Sequence, residues 1–179
     1  MVQDISYHLN AVAIEKSNEL RRPVVTINTA VEESTVADRN DELLHQDAFI
    51  RDNLAVGDAI VVSMGGNDVA LRPSISTIFS MLFLTNSPLS LIKCGSAPGQ
   101  AHLEHLFGER VRHVAERIVK KTKPAVVVIC MLYYLDERPG GSWADPVLSK
   151  LGYDKNPAKL QQIIFTLCER LTRRGLNID

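Results

Sequence analysis

Four consecutive residues, Gly65-Gly66-Asn67-Asp68, follow an apolar run and have the composition of a ligand-binding turn. Glycine lets the backbone turn sharply and lets a ligand approach it closely. A side-chain amide held at such a turn can donate a hydrogen bond to an oxyanion. The same residues also suit an ordinary turn in which an aspartate caps the following helix. The cluster by itself leaves both interpretations open.

This cluster, together with the segment 6–39 upstream of it, resembles the SGNH hydrolases, the GDSL-type esterase and lipase family. The family's third sequence block, G-x-N-D, is matched by Gly65, Asn67 and Asp68. The second block often reads N-x-G-x-x-G-x-T, and this chain replaces both of its glycines. The corresponding positions are Asn28, Ala30, Glu33 and Thr35. The resemblance covers roughly residues 6–136 in order and spacing.

The resemblance implies hydrolysis of a small-molecule acyl or acetyl ester by a serine–histidine mechanism, without a metal or other cofactor. Asn67 would supply the side-chain donor of the oxyanion hole, and the backbone N–H of Glu33 would supply a second donor. Asp68 would brace the turn without reacting, and Asn28 would support the second-block loop.

Further substrate contacts are expected from the turn and from a pair of aromatic residues. Gly65 and Gly66 would lie against the substrate. Tyr133 and Tyr134 follow a later apolar run, and with Trp143 they would frame the same pocket. Packing against the sheet is the competing interpretation of these aromatic side chains.

Two blocks of the family have no counterpart in this sequence: the G-D-S block with the nucleophile and the D-x-x-H block with the acid and base. A G-x-S-x-G elbow is also absent. A serine hydroxyl needs a positioned base to react. We therefore expect residues 1–179 to be a single, truncated SGNH-type domain, inactive alone, whose full-length parent is the enzyme.

Local serine and histidine residues are a weaker source of a catalytic pair. The serine candidates are Ser34, Ser63 and Ser74, of which Ser63 is expected in the core. The histidine candidates are His8, His45, His102, His105 and His113, the last three expected to face solvent on a helix. His102-x-x-His105 with Glu109 has a possible metal-ligand spacing, but a polar helix face explains it more simply, and no metal is predicted.

Helical and strand patterns alternate along the chain. Helical spacing of apolar residues predicts helices over 2–20, 46–54, 102–121 and 156–175, and short apolar or β-branched runs predict strands over 23–27, 59–64 and 125–132. This order favours an α/β fold with a parallel sheet. The nearly continuous apolar run 59–64 predicts a strand covered on both faces. Such sheets bind ligands beyond the carboxyl ends of their strands.

The resemblance implies a three-layer, flavodoxin-like sheet in the order 2-1-3-4-5, with helices on both faces. The first and last strands would be missing from this chain. Because the first strand belongs between two others, we expect the segment 23–27 to be displaced, to pair directly with 59–64, or to be loosely held. A fully paired five-stranded sheet would contradict this expectation.

The stretch 71–101 is apolar and follows the G-x-N-D turn. It predicts either a helix packed on the sheet or an insertion that lines an acyl pocket or acts as a lid. Polar residues interrupt its most apolar part, 75–92, so a buried or interfacial segment is favoured there over a transmembrane helix.

Charge and cysteine content limit the location and the partners. Lys plus Arg is 20 and Asp plus Glu is 21, a balance that argues against binding to nucleic acid. Three widely spaced cysteines fit a reducing compartment, and the N-terminus shows no signal peptide. We expect a cytoplasmic protein. The alternative function is a non-catalytic relative that binds a small ester or a protein in the same cleft. A nucleotide-binding module is weaker, because no glycine-rich phosphate motif follows any strand.

Overall fold

The structure is a computed structural model that describes residues 4–20, 23–134, 138, 145–150, 152–175 and 178. The chain divides into two compact units, Met1–Glu32 and Glu33–Asp179. The predicted turn and the Glu33 backbone both belong to the second unit, whereas Asn28 belongs to the first.

The first unit is built on helix α1, Ile5–Glu15, which begins after Asp4. The Asp4 carboxylate accepts the backbone N–H of Tyr7 at 2.9 Å, so it satisfies a donor that has no partner within the helix. The helix is shorter than the predicted 2–20. None of its residues is buried, and apolar side chains such as Ile14 are exposed.

Residues 23–27 form no strand, contrary to the sequence prediction. The Thr26 N–H donates to Asn10 Oδ1 at 2.6 Å, and Asn10 Nδ2 donates to the Thr26 carbonyl at 3.0 Å. One side-chain amide therefore takes the place of a neighbouring strand. The β-branched residues favour a strand, but a strand forms only where packing and a paired neighbour support it. Val24, Val25 and Ile27 remain exposed.

The second unit contains the sheet, which has two parallel strands in the part of the chain that the structure describes. Strand β1, Ala59–Ser63, pairs with strand β2, Val126–Cys130, in a register that runs from Ala59↔Val126 to Ser63↔Cys130. Both strands were predicted, and the α/β class with parallel strands is confirmed. The wider three-layer sheet is not present among these residues.

One face of this sheet is buried and the other is partly open. Ile60 and Val62 lie in the core, whereas Val61, Val126 and Val128 are nearly half exposed. The prediction that strand 59–64 is covered on both faces is therefore wrong for the described residues. Ser63, expected in the core, is exposed for the same reason.

Helices connect the two strands and pack against the inner face. Between β1 and β2 lie α3 (Gly66–Ala70), α4 (Ile75–Asn86), α5 (Leu89–Lys93), α6 (Gln100–Glu104), a π-helical turn (His105–Arg110) and α7 (Val111–Val119). A 3₁₀ turn (Ala37–Arg39) and α2 (His45–Asn53) precede β1, and α8 (Asp145–Lys150) and α9 (Pro157–Arg174) follow β2. The predicted helices 46–54, 102–121 and 156–175 are confirmed, with small differences at their ends.

The core of the second unit joins these helices to the sheet. Leu84 of α4, Ile92 of α5 and Leu167 of α9 are completely buried. Helix α9 contacts α4, α5 and α6, and α2 contacts α7. Within the described residues, none of the helices has both the length and the apolar character needed to cross a bilayer.

Candidate active site

The predicted turn lies directly beyond the end of β1. Gly65 has φ 99°, a left-handed conformation that favours glycine. A Cβ atom at this position would lie 2.6 Å from Cε1 and 2.9 Å from Cδ1 of Phe107, whose ring is buried in the π-helical turn. Both the backbone angle and the space therefore require glycine here. Gly66 has room for a side chain, because a Cβ atom added there would lie no closer than 3.8 Å to its nearest neighbour, Leu132 Cδ2.

Asp68 lies in the first turn of α3 and is 5% exposed. Its Oδ2 atom accepts the backbone N–H of Val36 at 2.8 Å, and its Oδ1 atom accepts that of Ala37 at 3.3 Å. Buried backbone donors need such partners. The carboxylate thus fixes the start of the 3₁₀ turn against α3, the helix that follows β1.

Asn67 contacts the chain at Ser34, two residues before Val36. Its Nδ2 atom donates to the carbonyl of Ser34 at 2.9 Å. A carboxamide carries two N–H donors, so one remains for another acceptor. The second donor has no partner in the part of the chain that the structure describes.

Glu33 immediately precedes this contact and has φ 59°. Among the described residues it alone, apart from glycines, has a positive φ. A left-handed conformation costs a residue with a side chain about 1–2 kcal/mol. In the resemblance described from the sequence, Glu33 corresponds to one of the two glycines of the second block. Asn67 Nδ2 reaches the carbonyl of Ser34, the residue that follows Glu33, so the two residues predicted to supply oxyanion donors lie on adjoining parts of the structure.

A buried ion pair, which the sequence analysis did not predict, also holds the loop at residues 34–35 in place. Arg39 Nε donates to Asp47 Oδ2 at 2.7 Å, and both side chains are buried. Arg39 Nη1 also donates to the Thr35 carbonyl at 2.7 Å and to Ser34 Oγ at 3.1 Å. Nothing in the spacing of these residues marks the pair, because it depends on how α2 packs after the 3₁₀ turn.

The remaining residues predicted at the site, Tyr133, Tyr134 and Asn28, have no contact with the turn among the hydrogen bonds of the described residues. Tyr133 and Tyr134 follow β2 at the same edge of the sheet as the turn, and both side chains are exposed. Asn28 lies in the first unit, where Nδ2 donates to Asp4 Oδ2 at 2.7 Å and Oδ1 accepts the Ala30 N–H at 2.9 Å. Trp143 lies outside the described residues.

One histidine approaches a hydroxyl, but the hydroxyl belongs to threonine. His102 Nε2 lies 2.9 Å from Oγ1 of the buried Thr77. The same Oγ1 atom lies 2.8 Å from Ser74 Oγ. Partial burial, aided by the charges of His105 and Arg110, lowers the pKa of His102. His102 is thus half-buried, contrary to the expectation that it faces solvent.

No group of three or more His, Cys, Asp or Glu side chains that could hold a metal ion occurs within the described ranges. Comparison with known proteins adds no relative: no model of a protein family matches this chain, and neither do the curated proteins or the solved structures.

Proposed function

We propose that this chain carries the oxyanion-stabilising part of an SGNH-type ester hydrolase that acts on acyl or acetyl esters. The observation that carries the proposal is the hydrogen bond from Asn67 Nδ2 to the Ser34 carbonyl. It joins the G-x-N-D turn to the loop that resembles the second block, as an oxyanion hole assembled from those two blocks requires.

The chemistry follows from the donors. Attack on an ester carbonyl places negative charge on its oxygen, and donors already fixed in position stabilise that charge without reorganising. The remaining Asn67 N–H and the Glu33 backbone N–H would serve in this role. The Glu33 carboxylate is a departure from the family pattern, but this residue is exposed, so water screens its charge.

The serine nucleophile and its histidine base would come from polypeptide other than this sequence. Two observations support this part of the proposal. The sequence has no counterpart of the G-D-S and D-x-x-H blocks. The imidazole of His102 meets a buried threonine hydroxyl rather than a serine. The second observation also favours the alternative function, in which the same cleft binds an ester without hydrolysing it.

The test uses the complete protein from its native source and p-nitrophenyl acetate as the substrate. We expect Asn67→Ala to lower kcat by about 10²–10³ with little change in KM, because the donor acts on the transition state. Asn53→Ala is the matched control: this exposed asparagine at the end of α2 donates from Nδ2 to the Phe49 carbonyl at 2.9 Å and has no proposed role in the reaction. Equal activity of the two variants would contradict the proposal.

A second measurement locates the nucleophile. A fluorophosphonate probe labels an activated serine, and peptide mapping identifies it. Label on a serine outside this sequence supports the proposal. Label on Ser74 would instead indicate a local nucleophile that works through Thr77 and His102. An unlabelled protein that still binds a non-hydrolysable acetyl ester analogue would establish the binding function.

A further inference from the structure

The segment between Arg72 and Lys93 contains no charged residue. It forms helices α4 and α5. Twenty consecutive uncharged residues are ordinary in a buried helix and unusual in one that faces water, because surface helices normally carry charged residues on the outer side.

Helix α4 presents apolar side chains to solvent as well as to the core. Thr77, Met81 and Leu84 are buried. The opposite side carries large apolar residues spaced i, i+3, i+4, i+7 and i+8, each between 42% and 75% exposed: Ile75, Ile78, Phe79, Leu82 and Phe83. We call these five residues the α4 stripe. A contiguous exposed apolar surface of this kind marks an interaction site.

A cationic cavity of about 420 Å³ lies where α4 ends, between α5 and the start of α9. Its charged lining residues are Lys93 and Lys159, and none of the described residues that line it is acidic. Asn86, Asn156 and Gln162 add amide groups to its wall. Leu89, which begins α5 and is also exposed, is an apolar residue of the cavity wall.

The two lysines are well suited to an external anion. Neither has a carboxylate partner within the ranges that the structure describes. The positive end of the helix dipole of α9 lies at the same cavity and adds to the field of the lysines. Lysine ammonium groups and amide N–H donors are the groups that bind phosphate oxygens.

We propose that the α4 stripe and the cationic cavity together dock on an anionic phospholipid surface. The stripe enters the boundary between headgroups and acyl chains, and the cavity receives a phosphate headgroup. This arrangement is that of an interfacial helix, which lies in the plane of the membrane. The proposal does not depend on ester hydrolysis.

The test is co-sedimentation of the complete protein, as in the hydrolysis experiment, with vesicles in 0.1 M salt. One set of vesicles is pure phosphatidylcholine, and the other contains 30% phosphatidylserine. We expect binding to the anionic vesicles that weakens as salt is raised. Lys93→Ala with Lys159→Ala should reduce binding about 25-fold, roughly fivefold for each lysine. Phe79→Ser with Phe83→Ser should reduce it at least about tenfold.

Matched double variants control for composition. Phe49→Ser with Phe165→Ser removes two exposed phenylalanines elsewhere in the second unit. Lys120→Ala with Lys123→Ala removes two lysines beyond α7. Both controls should bind vesicles like the native chain. Because the altered residues are exposed or line an open cavity, thermal unfolding of each variant should match that of the native chain.

Several results would overturn the proposal. One is the absence of binding to anionic vesicles, and another is an equal loss in the control variants. Saturable binding of inorganic phosphate, lost in the Lys93/Lys159 variant but without vesicle binding, would identify the ligand as a free phosphate compound. Self-association that the Phe79/Phe83 variant abolishes, again without vesicle binding, would identify the partner as a second copy of this chain.

Discussion

Two segments, residues 23–27 in the first unit and residues 34–37 leading into the 3₁₀ turn of the second, are held by side chains rather than by a neighbouring strand. Asn10 pairs with both backbone polar groups of Thr26. Asp68 and Asn67 together fix Ser34, Val36 and Ala37. The first segment remains exposed, whereas Thr35 and Val36 are almost completely buried. The side-chain hydrogen bonds therefore contribute more to stability in the buried segment than in the exposed one, because an unpaired polar group costs most free energy where water cannot reach it.

The largest effect on stability is expected for the buried contact between Asp68 and the backbone of Val36 and Ala37. Asp68→Ala leaves two backbone N–H groups without an acceptor, and we expect a loss of about 3 kcal/mol in the free energy of unfolding. Asp58→Ala is the matched control, because Asp58 Oδ2 also accepts a backbone N–H, that of Ala55 at 2.9 Å, but at an exposed position. Urea denaturation measures both. A loss in Asp68→Ala no larger than that in Asp58→Ala would show that burial does not set the difference.

An intermediate effect is expected for the exposed contact. Asn10→Ala removes both hydrogen bonds to Thr26, and water can replace them, so we expect a cost of about 1 kcal/mol. Hydrogen exchange of the Thr26 amide is the direct measurement and should become faster in the variant. Exchange of the Val36 amide should stay unchanged. An unchanged Thr26 rate would mean that Asn10 does not hold the segment.

The smallest effect is the dependence of the first unit on pH. Hydrogen bonds from Ser6, the Tyr7 N–H and Asn28 lower the pKa of Asp4 from 3.8 to about 2. Because this pKa is lower in the folded state, the charged carboxylate stabilises the unit above about pH 4, and that contribution is lost as pH falls through 2. We expect the Tyr7 amide resonance to shift between pH 4 and 2.

Asp4→Asn provides the control for this titration, since asparagine also caps a helix but has no proton to gain. The shift should disappear in that variant. A shift that persists would assign the titration to another carboxylate. The effect is small because the carboxylate is partly exposed, so solvent screens its charge.

The same contrast explains what the sequence could and could not predict. The helices 102–121 and 156–175 and the strands 59–64 and 125–132 follow from local patterns, which packing then reinforced. The strand at 23–27 failed because its β-branched residues have no partner strand among the described residues. The roles suggested for Asn67 and Glu33 came from a resemblance, and they remain predictions even though the structure brings the two residues together.

The polar contacts that no local pattern could indicate depend on how separate elements pack. Arg39 and Asp47 are only eight residues apart, but their ion pair joins the end of the 3₁₀ turn to α2, and neither element predicts it alone. The meeting of Thr77 and His102 depends on the packing of α4 against α6. Such contacts are set by the tertiary arrangement. The spacing of apolar residues along a helix predicts which face is buried, but it does not predict which polar side chains pair there.

The π-helical turn at His105–Arg110 constrains how the length of this chain can vary. An ordinary α-helix advances 100° per residue, and a π turn accommodates one residue more than an α turn. Deleting one residue between 105 and 110 would therefore restore α geometry and leave the flanking segments in nearly the same orientation, so Val111 and Val114 would stay in the core. The same deletion within α7 would rotate everything beyond it by about 100°. The π-helical turn is thus the place where this helix can lose one residue at the smallest cost in packing, provided that Phe107, which lies against Gly65, is kept.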